Sequence, residues 1–252
     1  MVRTFSKSNF STQTKTIELM NWQEIKVSAD NTHFLYNGKQ FFGRQFIEVL
    51  KFHSPGLAPV KDKSGSYHID ITGKQLYADR FTRTFGFYCN RAAVVQDDKC
   101  FHITDTGNKA YTYTFAWTGN YQENFCAVRN NDNKYFHINL DGNRIYSDSF
   151  MYCGDFKDGY ACVKTTNGLY RHIDVKGKFL NDKVYFDLGI FHKNFATAMD
   201  KNGWFHIDKE GNEIYRHRFL AVEPFYNGFA LVTQFDKNKI IINEQGQKII
   251  SV

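Results

Sequence analysis

Short aromatic and aliphatic runs alternate with polar turns along the whole chain, and the alternation has a long period. Glycine recurs at Gly38, Gly73, Gly107, Gly142, Gly177, Gly211 and Gly246, spaced 34 or 35 residues apart. A fixed period sustained from end to end means that one small unit is copied along the chain. In the copy Gly203-Trp204-Phe205-His206-Ile207-Asp208, the apolar residues fit an extended strand with no helical period. Asp208 then opens a turn and Gly211 closes it, the pattern of a type I turn with a following bulge. The equivalent turns run from Asp70, Thr104, Asn139, Asp174 and Asn243 to the glycine three residues on.

Aromatic residues occupy fixed positions after each glycine. Four residues on stand Phe42, Tyr77, Tyr111, Tyr146, Tyr215 or Ile250, with Asn181 the exception. Eight on stand Phe46, Phe81, Phe115, Phe150, Tyr185 or Phe219, and fourteen on Phe52, Phe87, Tyr121, Phe156, Phe191 or Phe225. A small-x-aliphatic run such as Ala93-Val94-Val95 or Ala230-Leu231-Val232 follows. Each unit therefore predicts four short β segments, and its aromatics are core, each contributing ~2 kcal/mol on burial. The chain ends on one hairpin, Ile240 to Ile250, and begins with Trp22–Val27 where a fourth segment would fall. Complementary ends predict an all-β, seven-bladed propeller closed by its N- and C-terminal strands. An open β-solenoid is the alternative, because any array cut at whole periods has complementary ends. Residues 1–12, rich in Ser, Thr and Lys, are expected to form a mobile tail, and 13–252 a single domain.

Composition adds little to that picture. The net charge of +6 comes from Lys and Arg spread along the chain, which permits an anionic partner without requiring one. The N-terminal residues lack the apolar stretch of a secretory signal, and no run has the length of a membrane span. Five cysteines without a CxxC pair read as free thiols in a reducing compartment, so a cytoplasmic location is expected, although secretion without a signal would leave no trace.

The unit resembles that of the bacterial WG-repeat family, Gly-x-Trp-Gly-aromatic-Ile-Asp-x-x-Gly followed by Phe-x-x-Gly-x-Ala-x-Val. Gly203 to Gly211 carries the first half, and Phe225 to Val232 and Phe156 to Val163 carry the second. The Trp position is kept only at Trp204, being Ser66, Cys100, Tyr135 and Tyr170 elsewhere. The next aromatic has become His, so the chain is similar to a divergent, His-bearing branch. The resemblance implies a repeat scaffold with a binding role and supplies no catalytic residues.

His33, His68, His102, His137, His172 and His206 share one position and invite a metal reading. Zinc ligands must converge on one ion at ~2.0–2.1 Å, whereas equivalent positions on stacked sheets lie ~10 Å apart. The expected role is structural: each ring fills its sheet's face and hydrogen-bonds a neighbour, with no metal or cofactor. Departures from the repeat are better binding candidates: His53, Arg171, His192, Lys193, Glu223 and Tyr226. Phosphate loops, nucleophile elbows and zinc-protease motifs are absent from the sequence. The expected function is a non-catalytic binding or scaffolding module, presenting rim loops and a central pocket to a protein or small polar ligand. An enzyme with a histidine-containing channel site and a nucleic-acid-associated accessory protein are the alternatives. No membrane partner is expected.

Overall fold

The computed structural model describes residues 21–252, and the expected tail at 1–12 lies outside the described residues. Apart from one 3-10 turn at Trp22–Glu24, the regular structure of the described residues is β. The chain divides into two compact units, one through Ala110 and the other from Tyr111 to Val252.

Among the described residues there are seven small antiparallel sheets, each built from one contiguous stretch. The first unit holds three: Lys26–Val27, Phe34–Tyr36 and Lys39–Phe41; then Glu48–Val49, Leu57–Asp62 and Gly65–Asp70; then Arg83–Tyr88, Arg91–Gln96 and Lys99–Ile103. The second unit holds four. The fourth sheet is Trp117–Thr118, Cys126–Arg129 and Tyr135–Ile138, and the fifth Tyr152–Cys153, Tyr160–Lys164 and Tyr170–Asp174. The sixth is Asp187–Leu188, Ala196–Asp200 and Gly203–Ile207, and the seventh Ala221–Val222, Phe229–Thr233, Lys239–Asn243 and Lys248–Ser251. Among the described residues only the seventh carries a regular fourth strand. In the second to sixth sheets the fourth segment is held by isolated bridges such as Ile69↔Gln75 and Ser66↔Phe81.

The turns form for the reasons legible in the sequence. Asp70 Oδ1 accepts from the N–H of Thr72 at 2.8 Å and of Lys74 at 3.1 Å, while Gly73 N–H donates to Asp70 O at 2.9 Å. Asp174 and Asp208 repeat the arrangement. The glycine has a second duty that spacing alone does not reveal. A Cβ on Gly107 would stand 2.6 Å from the Tyr77 ring, and one on Gly246 2.6 Å from Tyr215. Within each compact unit the tyrosine of one repeat thus lies against the turn glycine of the next repeat.

The first hairpin departs from this plan. Asn37 (φ 49°) and Gly38 (φ 74°) make a two-residue turn between the paired Tyr36 and Lys39, so Gly38 closes no four-residue Asp-type turn. The shortened hairpin moves Phe34, not His33, into the inward position. Phe34 is buried against Phe52 at 4.8 Å between centroids, and half-buried His33 bonds Thr32 instead. Each unit's core consists of the aliphatic middle strands and the expected aromatics, with Phe34, Phe156, Phe191 and Phe225 almost wholly enclosed.

Candidate functional site

The repeated histidines join neighbouring sheets. Nε2 of His68, His137, His172 and His206 lies 2.8–2.9 Å from the backbone oxygen of Phe85, Gly154, Gly189 and Glu223, each seventeen residues on in the following sheet's segment. A carbonyl only accepts, so Nε2 carries the hydrogen and Nδ1 is left as an acceptor. The hydroxyl of Tyr77, Tyr146 or Tyr215 donates to that Nδ1 in three of these four, at 2.5 Å for His137 and His206. Each of the four rings also packs on a buried Phe, at 4.2–4.6 Å between centroids. Burial drives the pKa of all four down to about 4, so they are neutral at pH 7. His68, His137 and His206 have both nitrogens engaged, leaving no lone pair for a metal or an incoming proton. His172 differs because Asn181 stands in the tyrosine position, and its buried Nδ1 has no partner.

Cys126, Cys153 and Cys162 are buried thiols whose pKa values are pushed up by desolvation, that of Cys153 to about 12. They are poor nucleophiles at neutral pH. Among the described residues no three His, Cys, Asp or Glu side chains are grouped to hold a metal ion.

The six predicted site residues scatter. His53 lies in the first unit, with its ring 4.8 Å from Tyr88 and its face against Gly86, where an added Cβ would lie 2.4 Å from the imidazole. Burial, then the nearby Lys51, lowers its pKa. Arg171 is accounted for by a swap. In other repeats a cation covers the aromatic of this position: Arg80 over Tyr67 at 3.9 Å, Arg144 over Phe136 at 4.1 Å and Arg218 over Phe205 at 3.7 Å. Here Arg171 is the cation and Phe179 the ring, 3.6 Å apart, with Asn181 O and Asp182 taking the guanidinium. Glu223 is exposed, and its backbone rather than its carboxylate is engaged, by Leu231 and His206.

His192, Lys193 and Tyr226 do come together. The segments Gln122–Phe125, Lys157–Tyr160, His192–Phe195 and Tyr226–Phe229 are equivalent two-residue turns with positive φ at both central positions. His192 Nδ1 donates to Phe225 O at 3.0 Å, its ring lies 5.0 Å from that of Tyr226, and Lys193 Nζ reaches Asn227 Oδ1 at 3.3 Å.

A second surface was not anticipated. At the other end of the same strands, Phe186, Met199, Trp204, Leu220 and Phe235 line an open groove of about 460 Å³ between the sixth and seventh sheets. A second hollow of about 290 Å³ shares Phe186, Asp200 and Lys201 with it and adds Leu169 and Val184. Phe186 is 52% exposed, Leu220 48% and Phe235 60%. Asp200 is neutralised by Arg218, at 2.8 and 2.9 Å, whereas Lys201 has no ion pair among the described residues. The available signal was parity. Phe186 and Leu220 each follow a buried core aromatic, Tyr185 or Phe219, and so face away from the core.

Residues 204–237 match the WG containing repeat, and the chain carries that repeat. No curated protein matches the chain. Among solved structures it is similar to the computationally designed Ika8 protein, with 14% identity, a TM-score of 0.52 and cover of 90% of this chain and 83% of that one. It is also similar to BamB from Moraxella catarrhalis, with 12% identity, a TM-score of 0.50 and cover of 88% and 76% respectively. These likenesses show the fold alone. The chain has an all-β, propeller-like repeat fold. No helix among the described residues is long and apolar enough to cross a membrane.

Proposed function

Taking the WG repeat as the scaffold, we propose that this protein is a non-catalytic binding module whose principal contact surface is the groove between the sixth and seventh sheets. The observation that carries this reading is the grouping of Phe186, Leu220 and Phe235 around Trp204, each about half exposed, on an otherwise well-packed sheet junction. Exposed aromatic and aliphatic groups gathered in one hollow mark an interaction surface. The groove suits one large apolar side chain of a protein partner, and Lys201 at its edge favours an acidic neighbour in that partner. The rim turns bearing His192, Lys193 and Tyr226 contribute a second, polar contact. His53, Arg171 and Glu223 have weaker claims, because their environments are explained by packing or by solvent. Five cysteines outside any disulfide suit a reducing compartment, and we infer a cytoplasmic location.

Selection from a displayed library of random peptides tests the reading. Enriched sequences should share one aromatic or large aliphatic residue flanked by Asp or Glu. Enrichment of uniformly polar or basic peptides would contradict it.

A further inference from the structure

The four equivalent turns of the second unit differ in what occupies their exposed N–H groups. At the second of them, the carboxylate of Glu123 reaches across from the preceding turn and is chelated: Oε1 accepts from Asp158 N–H at 2.7 Å and Oε2 from Gly159 N–H at 2.9 Å. Positive φ at both central residues aims the two amides outward side by side, so one carboxylate satisfies both. The fourth turn has the same geometry, with φ 52° at Asn227 and 84° at Gly228, and open space around the Gly228 α-carbon. Its counterpart of Glu123, one residue into the preceding turn, is Lys193. An ammonium cannot accept from an N–H, and Lys193 Nζ settles instead on Asn227 Oδ1. The cradle is thus kept while its internal carboxylate is exchanged for a cation at its edge.

We propose that the Asn227–Gly228 turn is a carboxylate-binding site, with the two backbone N–H groups as donors and Lys193 as the neutralising charge. The ligand class is a carboxylate supplied from outside the chain, an Asp or Glu side chain or a peptide C-terminus. The molecule itself shows the binding mode at Asp158–Gly159. The site lies at the opposite end of the sheet from the aromatic groove, and the proposal stands whether or not the groove binds a partner.

The test is amide NMR of the full chain titrated with acetate, N-acetyl-glutamate amide, a short peptide with a free C-terminus, and inorganic phosphate. Saturable shifts are expected at Asn227 and Gly228 with carboxylates, and none at Asp158 and Gly159, whose donors Glu123 already holds. Glu123→Gln should make the latter pair responsive. Lys193→Gln should weaken acetate binding by up to about fivefold, the range of one exposed charge pair. Lys193→Glu should abolish it and move the Asn227 and Gly228 amides toward the positions of their counterparts. N-acetyl-glutamate amide and the peptide distinguish side chain from terminus. Unresponsive Asn227 and Gly228 amides in the unsubstituted protein would overturn the proposal. So would phosphate binding as well as the carboxylates, which would make the turn an unselective anion cradle.

Discussion

The same repeat positions build different surfaces in the two units. Between the second and third sheets, the junction lined by Val60, Ser66, Arg83 and Thr84 leaves a hollow of only about 10 Å³. Between the sixth and seventh, the groove holds about 460 Å³ among large apolar side chains. Counted from the nearest turn glycine, Ser66 corresponds to Trp204 and Thr82 to Leu220; counted from the matching strand pairs Val95↔Cys100 and Thr233↔Lys239, Asp97 corresponds to Phe235. Beneath both surfaces runs the same support, a neutral histidine bonded to the next segment's carbonyl and to a tyrosine hydroxyl, at His68 and at His206. The internal layer is common to both junctions and the outer layer is not. Conditions that attack the shared layer should fell both regions together, and changes to the outer layer should leave stability alone.

Acid should have the largest effect. The pKa of His68, His137, His172 and His206 lies near 4 in the folded protein, against 6.5 for an ordinary histidine. Between those values the unfolded chain binds more protons, so stability is complete above pH 6.5 and declines as pH falls toward 4. Each imidazole can remove up to about 3 kcal/mol over that window, enough in combination to unfold a domain. Circular dichroism against pH should show unfolding of both units within it. A fold intact well below pH 4 would show that the rings are not held neutral.

Next comes the glycine beside each surface. Gly203 and Gly65 share φ near 130°, but an added Cβ would lie 2.6 Å from Phe219 O at the first and 3.0 Å or more from any neighbour at the second. Gly203→Ala should therefore cost about 3 kcal/mol and Gly65→Ala less, measured by denaturant unfolding. Equal costs would mean that the groove junction is as pliant as its counterpart.

Smaller changes address the histidine layer itself. Tyr215→Phe leaves His206 Nδ1 buried without a donor and should cost about 1–2 kcal/mol. His172 already stands in that condition, so Asn181→Tyr should return about 1 kcal/mol, provided the ring seats against Gly211 as Tyr215 does against Gly246. Differential thermal melts of the two variants check both signs.

Much of the architecture could be read from the sequence because turn chemistry is local. Asp208 and Gly211 specify their hairpin within four residues, and the aromatic spacing follows from it. The histidines were readable as packing, but their tautomer was not, because the acceptor lies seventeen residues away in another segment. His33 misled, since a shorter first turn shifts the strand by one residue and places Phe34 inward. Arg171 departs from the repeat at its own position, and its exchanged partner Phe179 stands eight residues on. The groove was the hardest feature to foresee. Phe186, Leu220 and Phe235 are of the same apolar types as the core residues, and only the side of the strand they occupy sets them apart.

The central claim is that the outer layer at the sixth and seventh sheets binds while the histidine layer only supports. The most direct measurement grafts the first unit's polar residues onto the groove as Leu220→Thr with Phe235→Asp, and follows melting temperature and affinity for the selected peptides in one preparation. Melting should stay within a few degrees of the parent, since both side chains are half exposed, and peptide binding should be lost. Undiminished peptide binding by the grafted protein would contradict the account.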